Sequence, residues 1–99
     1  MKTEYLTQEA VKLLCRLVEI PRTSREEKDA ADMLELYMRN ECGINVNREG
    51  NNLWCMASEY EEHKETLMLN AHIDTVKPTS AWKHEPHRAT IEGDIIYGL

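Results

Sequence analysis

The chain has 99 residues, which allows one domain with a core of modest size. Its 12 basic and 18 acidic side chains give a formal charge of −6 with the histidines neutral, and no block of Lys or Arg interrupts this acidic balance. These features argue against a general role in binding nucleic acid or an anionic membrane. The first residues lack the apolar segment of a signal peptide, and no run approaches the about 18 apolar residues of a membrane span. We therefore expect a cytoplasmic protein.

The cysteines predict neither a disulfide framework nor a zinc knuckle. Cys15, Cys42 and Cys55 are odd in number, widely spaced and without a C-x-x-C pair. Cys15 and Cys55 fall in apolar patterns, where each would act as a small buried hydrophobe. We expect three reduced thiols.

Two helices are predicted in the first half of the chain. Thr7 is a candidate N-cap for a helix over Gln8–Glu19, and the proline at Pro21 would end it. The sequence Ser24-Arg-Glu-Glu27 fits a capping box for a second helix, which would end between residues 40 and 43. Both helices carry an apolar stripe, so we expect them to pack on one face of a sheet.

Two β-hairpins are predicted. Residues Ile44–Arg48 alternate with period two, Glu49–Asn52 supply turn residues, and Leu53–Ala57 would return as the second strand. A second hairpin is predicted over Ala89–Tyr97, turning at Glu92–Asp94. The charged residues 58–65 are predicted to form a loop after the first hairpin, and residues 77–88, with two prolines and no periodicity, a surface loop before the second.

The central element of the prediction is an apolar run over Thr66–Asn70, which has the composition of a strand buried on both faces. His72 and Asp74 follow where this strand would end. In extended backbone these two residues project to the same side, and Ile73 projects to the other. The imidazole and the carboxylate are therefore predicted to share one space.

The His72 and Asp74 pair has two chemical interpretations. In the first, His72 binds a metal ion, and Asp74 accepts the second ring N–H and so fixes the tautomer. In the second, the pair is a hydrogen-bonded histidine and a turn aspartate at a strand end. The spacing alone leaves both open, because one ligand does not make a metal site.

Three ordered motifs resemble a known family. They are His72-Ile-Asp-Thr-Val-Lys-Pro78, Trp82-x-x-x-Pro86 and Glu92-Gly-Asp-Ile-Ile-Tyr-Gly-Leu99. In order and spacing they are similar to the N-terminal part of the co-catalytic zinc amidohydrolases and exopeptidases. That family includes acetylornithine deacetylases, succinyl-diaminopimelate desuccinylases, glutamate carboxypeptidases and aminoacylases, and the Tyr-Gly-Leu ending most resembles the first of these. The helices and the first hairpin also match in position, so the resemblance covers essentially the whole chain.

The resemblance implies an α/β fold, a layered helix/sheet catalytic domain of the zinc-exopeptidase type. Residues 1–99 would be its N-terminal part, with the two helices and part of the sheet. The rest of the catalytic domain and a lid or dimerisation domain would lie outside this sequence. The full-length protein would be a homodimer.

The resemblance also implies a reaction. The full-length enzyme would remove the acyl group from an N-acyl amino acid such as N-acetylornithine. His72 would ligate one of two zinc ions, which cobalt or manganese can replace, and Asp74 would be the catalytic-site carboxylate that orients it. The other ligands and the general base would come later, so we expect residues 1–99 alone to be inactive.

Other functions stay open at this stage. The same resemblance allows a dipeptidase or carboxypeptidase, and Ala71, Glu85 and His87 depart from the family pattern in ways that bear on substrate subclass. A non-catalytic interaction module that uses an open sheet edge is a further alternative. His84 and His87 bracket Pro86, which prevents a helical metal pair and predicts solvated loop histidines. Trp82 is either a pocket residue or a loop anchor.

Overall fold

The computed structural model describes residues 2–99, which form two helices followed by two separate β-hairpins. The elements in chain order are α1 (Thr3–Val18), α2 (Lys28–Leu36), a π-helical turn (Tyr37–Glu41), β1 (Asn47–Glu49), β2 (Asn52–Trp54), β3 (Thr90–Glu92) and β4 (Ile95–Tyr97). Strand β1 pairs antiparallel with β2, and β3 pairs antiparallel with β4. Within this range no helix combines the length and apolarity needed to cross a membrane.

Helix α1 begins at Thr3, five residues before the predicted start at Gln8. Thr7 is not its cap: the residue lies inside the helix, where its Oγ1 donates to the carbonyl of Thr3 at 2.9 Å. A threonine hydroxyl can bond the carbonyl four residues back. A threonine therefore does not by itself mark the start of a helix. The end of α1 at Val18, before Pro21, confirms the predicted stop.

Helix α2 begins at Lys28, and the predicted capping box at its start is wrong. The N-cap is Glu27, which makes no side-chain cap hydrogen bond. Ser24 instead donates to Asp74, and Arg25 has a φ of 73°, which no helical residue adopts. The helical segment ends at Glu41 after the π-helical turn, which confirms the predicted end.

The core of the described residues is small. Its buried apolar side chains are Val18, Ala30, Ala31 and Val46, and Arg22 is also buried, with 8% exposure. The radius of gyration is 15.6 Å, compared with about 13 Å for a compact 100-residue domain. The elements therefore bury little surface against one another.

Both predicted hairpins are confirmed, with shorter strands than expected. Their registers place Arg48 opposite Leu53 and Ile91 opposite Ile96. Each turn places a glycine after the first strand, and Gly50 has a φ of 61°, which an L side chain rarely adopts. Trp54, at the end of β2, is 47% exposed.

The three cysteines are free thiols, as predicted. Cys15 is half-buried on α1, and Cys42 is exposed. The predicted burial of Cys55 is wrong, because β2 ends at Trp54 and Cys55 lies in the exposed segment that follows.

The predicted central strand over Thr66–Asn70 does not form. Leu67, Met68 and Leu69 are 84%, 81% and 87% exposed, and the segment has no regular secondary structure. A strand buried on both faces needs a hydrogen-bonded neighbour and a covering layer, and residues 2–99 supply neither here. One parallel bridge nearby, Thr23 with Thr75, is all the strand pairing that this region makes.

An ion-pair cluster attaches α2 to the first hairpin. The Nη1 of Arg48 lies 2.6 Å from Asp32 Oδ1 and 2.9 Å from Glu35 Oε1, and its Nε donates to the carbonyl of Gly50 at 2.8 Å. A guanidinium suits this role because its donors are fixed in one plane. The cluster lowers the pKa of Glu35 mainly through Arg48, and that of Asp32 through Lys28 and Arg48.

The lowered pKa values predict acid sensitivity that depends on Arg48. A carboxylate whose pKa is lower in the folded state stabilises the fold above its unfolded pKa, which is about 4. That contribution is lost as the pH falls below about 4. We expect Arg48→Met to give a shallower loss of stability on acidification than the wild type, measured by thermal melts between pH 7 and pH 2.5. Arg88→Met is the control and should leave the profile unchanged; parallel profiles for Arg48→Met and the wild type would contradict the prediction.

Candidate functional site

His72 and Asp74 lie beside a groove between α2 and the first hairpin. The groove has a volume of about 770 Å³. Its walls come from α2 and the turn after it, from β2 and its turn, and from the segment that carries the pair; they include Leu34, Met38, Asn51, Leu53, Trp54 and Asn70. The pair therefore lies at an open, mixed polar and apolar cleft.

The structure brings the two predicted side chains together. Nδ1 of His72 lies 2.9 Å from the carbonyl oxygen of Asp74 and 3.1 Å from its Oδ1. Both oxygens accept hydrogen bonds, so Nδ1 carries the ring proton and donates it. Nε2 is then free of a proton in the neutral ring, and the side chain of His72 is 85% exposed. This is the orientation that a metal-ligating histidine requires.

Ser24 is a site residue that the sequence analysis assigned to a helix cap. Its Oγ donates to Asp74 Oδ2 at 2.5 Å, so the two oxygens of the carboxylate face different partners. The Ser24 hydrogen bond is the largest cause of a lowered pKa of Asp74, and the nearby His72 ring acts in the same direction. No local sequence pattern marks this contact, because 50 residues separate its partners.

The residues present fit one ligand position and its orienting carboxylate, and they do not form a complete zinc site. Across residues 2–99, no group of three or more His, Cys, Asp or Glu side chains is arranged to hold a metal ion. Catalytic zinc takes three protein ligands, of which His72 Nε2 would be one.

The loop histidines differ from the prediction of solvated side chains. The ring of His84 stacks on Tyr97 with centroids 4.1 Å apart, and its Nε2 lies 3.2 Å from Glu92 Oε1. The Nδ1 of His87 is buried without a hydrogen-bond partner in the described structure. The His84 contacts attach the loop to the second hairpin, because the apolar face of a histidine ring packs well on tyrosine.

Trp82 lines a separate, shallow cavity. Its volume is about 510 Å³, and Thr79, Lys83, His84 and Tyr97 also line it. This cavity shares no residue with the groove beside His72 and Asp74. The cavity and the groove therefore lie at different places and are lined by different side chains.

No protein-family model matches the sequence, and no curated protein matches it significantly. Two kinds of observation remain to bear on function. One is the set of three ordered motifs in the sequence, and the other is the geometry of His72, Asp74 and Ser24.

Proposed function

We propose that this chain is the N-terminal part of the catalytic domain of a cytoplasmic, homodimeric zinc-dependent amide hydrolase. Its α/β fold would be the layered zinc-exopeptidase type, and its substrate an N-acyl amino acid such as N-acetylornithine. The observation that carries the proposal is the His72 ring, whose Nδ1 donates to Asp74 while Nε2 stays free beside the groove. A dipeptidase or carboxypeptidase would use the same pair, so the substrate subclass depends on residues outside this sequence.

Each residue of the pair has a distinct task in this proposal. His72 would present Nε2 as one ligand of the metal centre. Asp74 would hold the Nδ1–H tautomer and raise the basicity of the ring. A bound pair of zinc ions, or cobalt or manganese in their place, would supply Lewis acidity toward the amide carbonyl. The remaining ligands and the general base would come from beyond residue 99, so residues 1–99 would be inactive alone.

The first test is to read the source coding region beyond codon 99. We expect an in-frame Gly-x-x-Asp within a few residues and a Glu-Glu pair further on. A stop codon directly after Leu99 would overturn the proposal.

The second test is made on the full-length product. With zinc it should hydrolyse N-acetylornithine or a short peptide, and His72→Ala should abolish this activity. Asp74→Asn should lower metal affinity by about 10- to 100-fold, as replacing the carboxylate partner of a ligating histidine does. His63→Ala is the matched control, because His63 lies in an exposed loop away from the groove, and it should leave both properties unchanged. Wild-type zinc content and activity in His72→Ala would contradict the assignment.

A non-catalytic interaction module is the second candidate. The observation that favours it is the exposed run of Leu67, Met68 and Leu69, whose backbone has no strand partner among the described residues. Unpaired extended backbone with apolar side chains is suited to strand addition. The coding-region test separates the two candidates, since a stop codon directly after Leu99 would support this one.

A further inference from the structure

Ser24 occupies an exposed turn between the two helices. The N–H of Glu26 donates to the carbonyl of Thr23 at 2.8 Å, which closes a four-residue turn with Ser24 in its second position. Arg25 has a φ of 73° in the third position, where such turns accept a positive value. The Thr23 Oγ1 donates to Glu26 Oε2 at 3.2 Å and supports the same turn. The Ser24 side chain is thus presented by a defined backbone.

Two backbone contacts, together called the clip, hold this turn against the segment that carries the site. The N–H of Thr75 donates to the carbonyl of Arg22 at 2.9 Å, and Thr23 forms a parallel bridge with Thr75. The Ser24 to Asp74 hydrogen bond lies directly beside these backbone contacts. Since residues 66–74 belong to no strand, the clip is what determines the position of Asp74 in the described structure.

We propose that Ser24 is a positioning residue, whose hydroxyl orients the carboxylate of Asp74 and thereby the ring of His72. With Oδ2 bonded to Ser24, Oδ1 faces the Nδ1 of His72. Ser24 is not a nucleophile in this arrangement, because its hydroxyl donates to a carboxylate and has the aspartate between itself and the histidine. The importance of this orientation for metal binding rests on the proposed function; the orientation itself does not.

The test reads the tautomer of the His72 ring by nitrogen-15 NMR in the 99-residue chain. Spectra are recorded at pH 9, so that the two neutral tautomers are compared. The wild type should show the Nδ1–H form. In Ser24→Ala the main-chain carbonyl of Asp74 still accepts from Nδ1 but the side-chain carboxylate is no longer held, so the share of the Nε2–H form should rise above that of the wild type. Ser24→Thr, which keeps a hydroxyl, should retain the wild-type ratio of the two forms. Ser80→Ala, in the exposed loop after Pro78, is the control and should match the wild type.

Ser24 is exposed, so its replacement should leave the helices intact, and backbone amide spectra confirm this for each variant. A ratio of the two tautomers in Ser24→Ala equal to that of the wild type would overturn the positioning role. If Ser24→Ala lost the fold, Ser24→Cys would take its place, because it replaces a strong donor with a weak one at similar size. A larger share of the Nε2–H form in Ser24→Cys would support the positioning role, and the wild-type ratio would overturn it.

Titration of the full-length product with zinc ions alone, followed at the His72 ring, separates this inference from the proposed function. Zinc-dependent shifts at the His72 ring that weaken in Ser24→Ala and persist in Ser24→Thr support both. A tautomer ratio that depends on Ser24, together with a His72 ring that does not respond to zinc in the full-length product, supports the positioning role and counts against the metal function. Equal zinc responses in the wild type and Ser24→Ala, with equal tautomers, overturn the positioning role alone.

Discussion

Arg22→Met is expected to lower the free energy of unfolding by about 1.5 to 3 kcal/mol, the range for hydrogen bonds made by a charged group. Arg22 is 8% exposed, and its Nη1 donates to the carbonyls of Leu17 at 2.6 Å and of Ile20 and Leu99 at 3.3 Å. Carbonyls at a helix C-terminus have no partner within the helix. Arg22 therefore satisfies the end of α1 and connects it to the end of the chain.

Burial lowers the pKa of Arg22, because it disfavours the charged form of the side chain. The hydrogen bonds to the three carbonyls offset this cost in free energy. Methionine has similar length and removes both the charge and the donors. Arg22→Lys should have an intermediate effect, because one ammonium cannot reproduce the planar donors of a guanidinium. Urea unfolding followed by circular dichroism measures the change. Arg25→Met, at an exposed position nearby, is the control, and equal midpoints for Arg22→Met and Arg25→Met would contradict this role.

Gly98→Ala is expected to destabilise the chain by about 1 to 3 kcal/mol through overpacking. A Cβ at residue 98 would lie 2.6 Å from Cγ1 and 3.0 Å from Cγ2 of Val18, closer than carbon atoms approach without displacement. Val18 is 4% exposed on the last turn of α1, and a valine in a helix has one strongly preferred rotamer. The side chain therefore cannot rotate away from the added methyl group.

A double-mutant cycle tests this contact. Val18→Ala alone should cost about 2 kcal/mol from lost burial. In the double variant the alanine at residue 98 fills part of the space that Val18 leaves, so the combined cost should be smaller than the sum by more than about 0.5 kcal/mol. Chemical denaturation of the four proteins supplies the cycle. Additive costs would show that Gly98 is required for a reason other than its distance from Val18.

Local patterns predicted the elements that depend on local chemistry. The hairpin turns follow from glycine beside Asn51 and Asp94, and the stop of α1 follows from Pro21. The His-x-Asp spacing also placed the imidazole next to the carboxylate, because residues two apart are close in most extended backbones. In contrast, the starts of both helices were wrong, since a threonine or a serine near a helix start can bond other groups.

The sequence by itself determined two helices, two hairpins and the His72 and Asp74 pair, because each depends on residues close together in the chain. Only the tertiary structure decided which groups meet across long separations. It assigned Ser24 to Asp74 instead of a helix cap, and it placed Arg22 at the end of α1 and beside Leu99. It also left Leu67–Leu69 exposed, since an apolar run becomes a buried strand only where neighbouring strands and a covering layer exclude water from it.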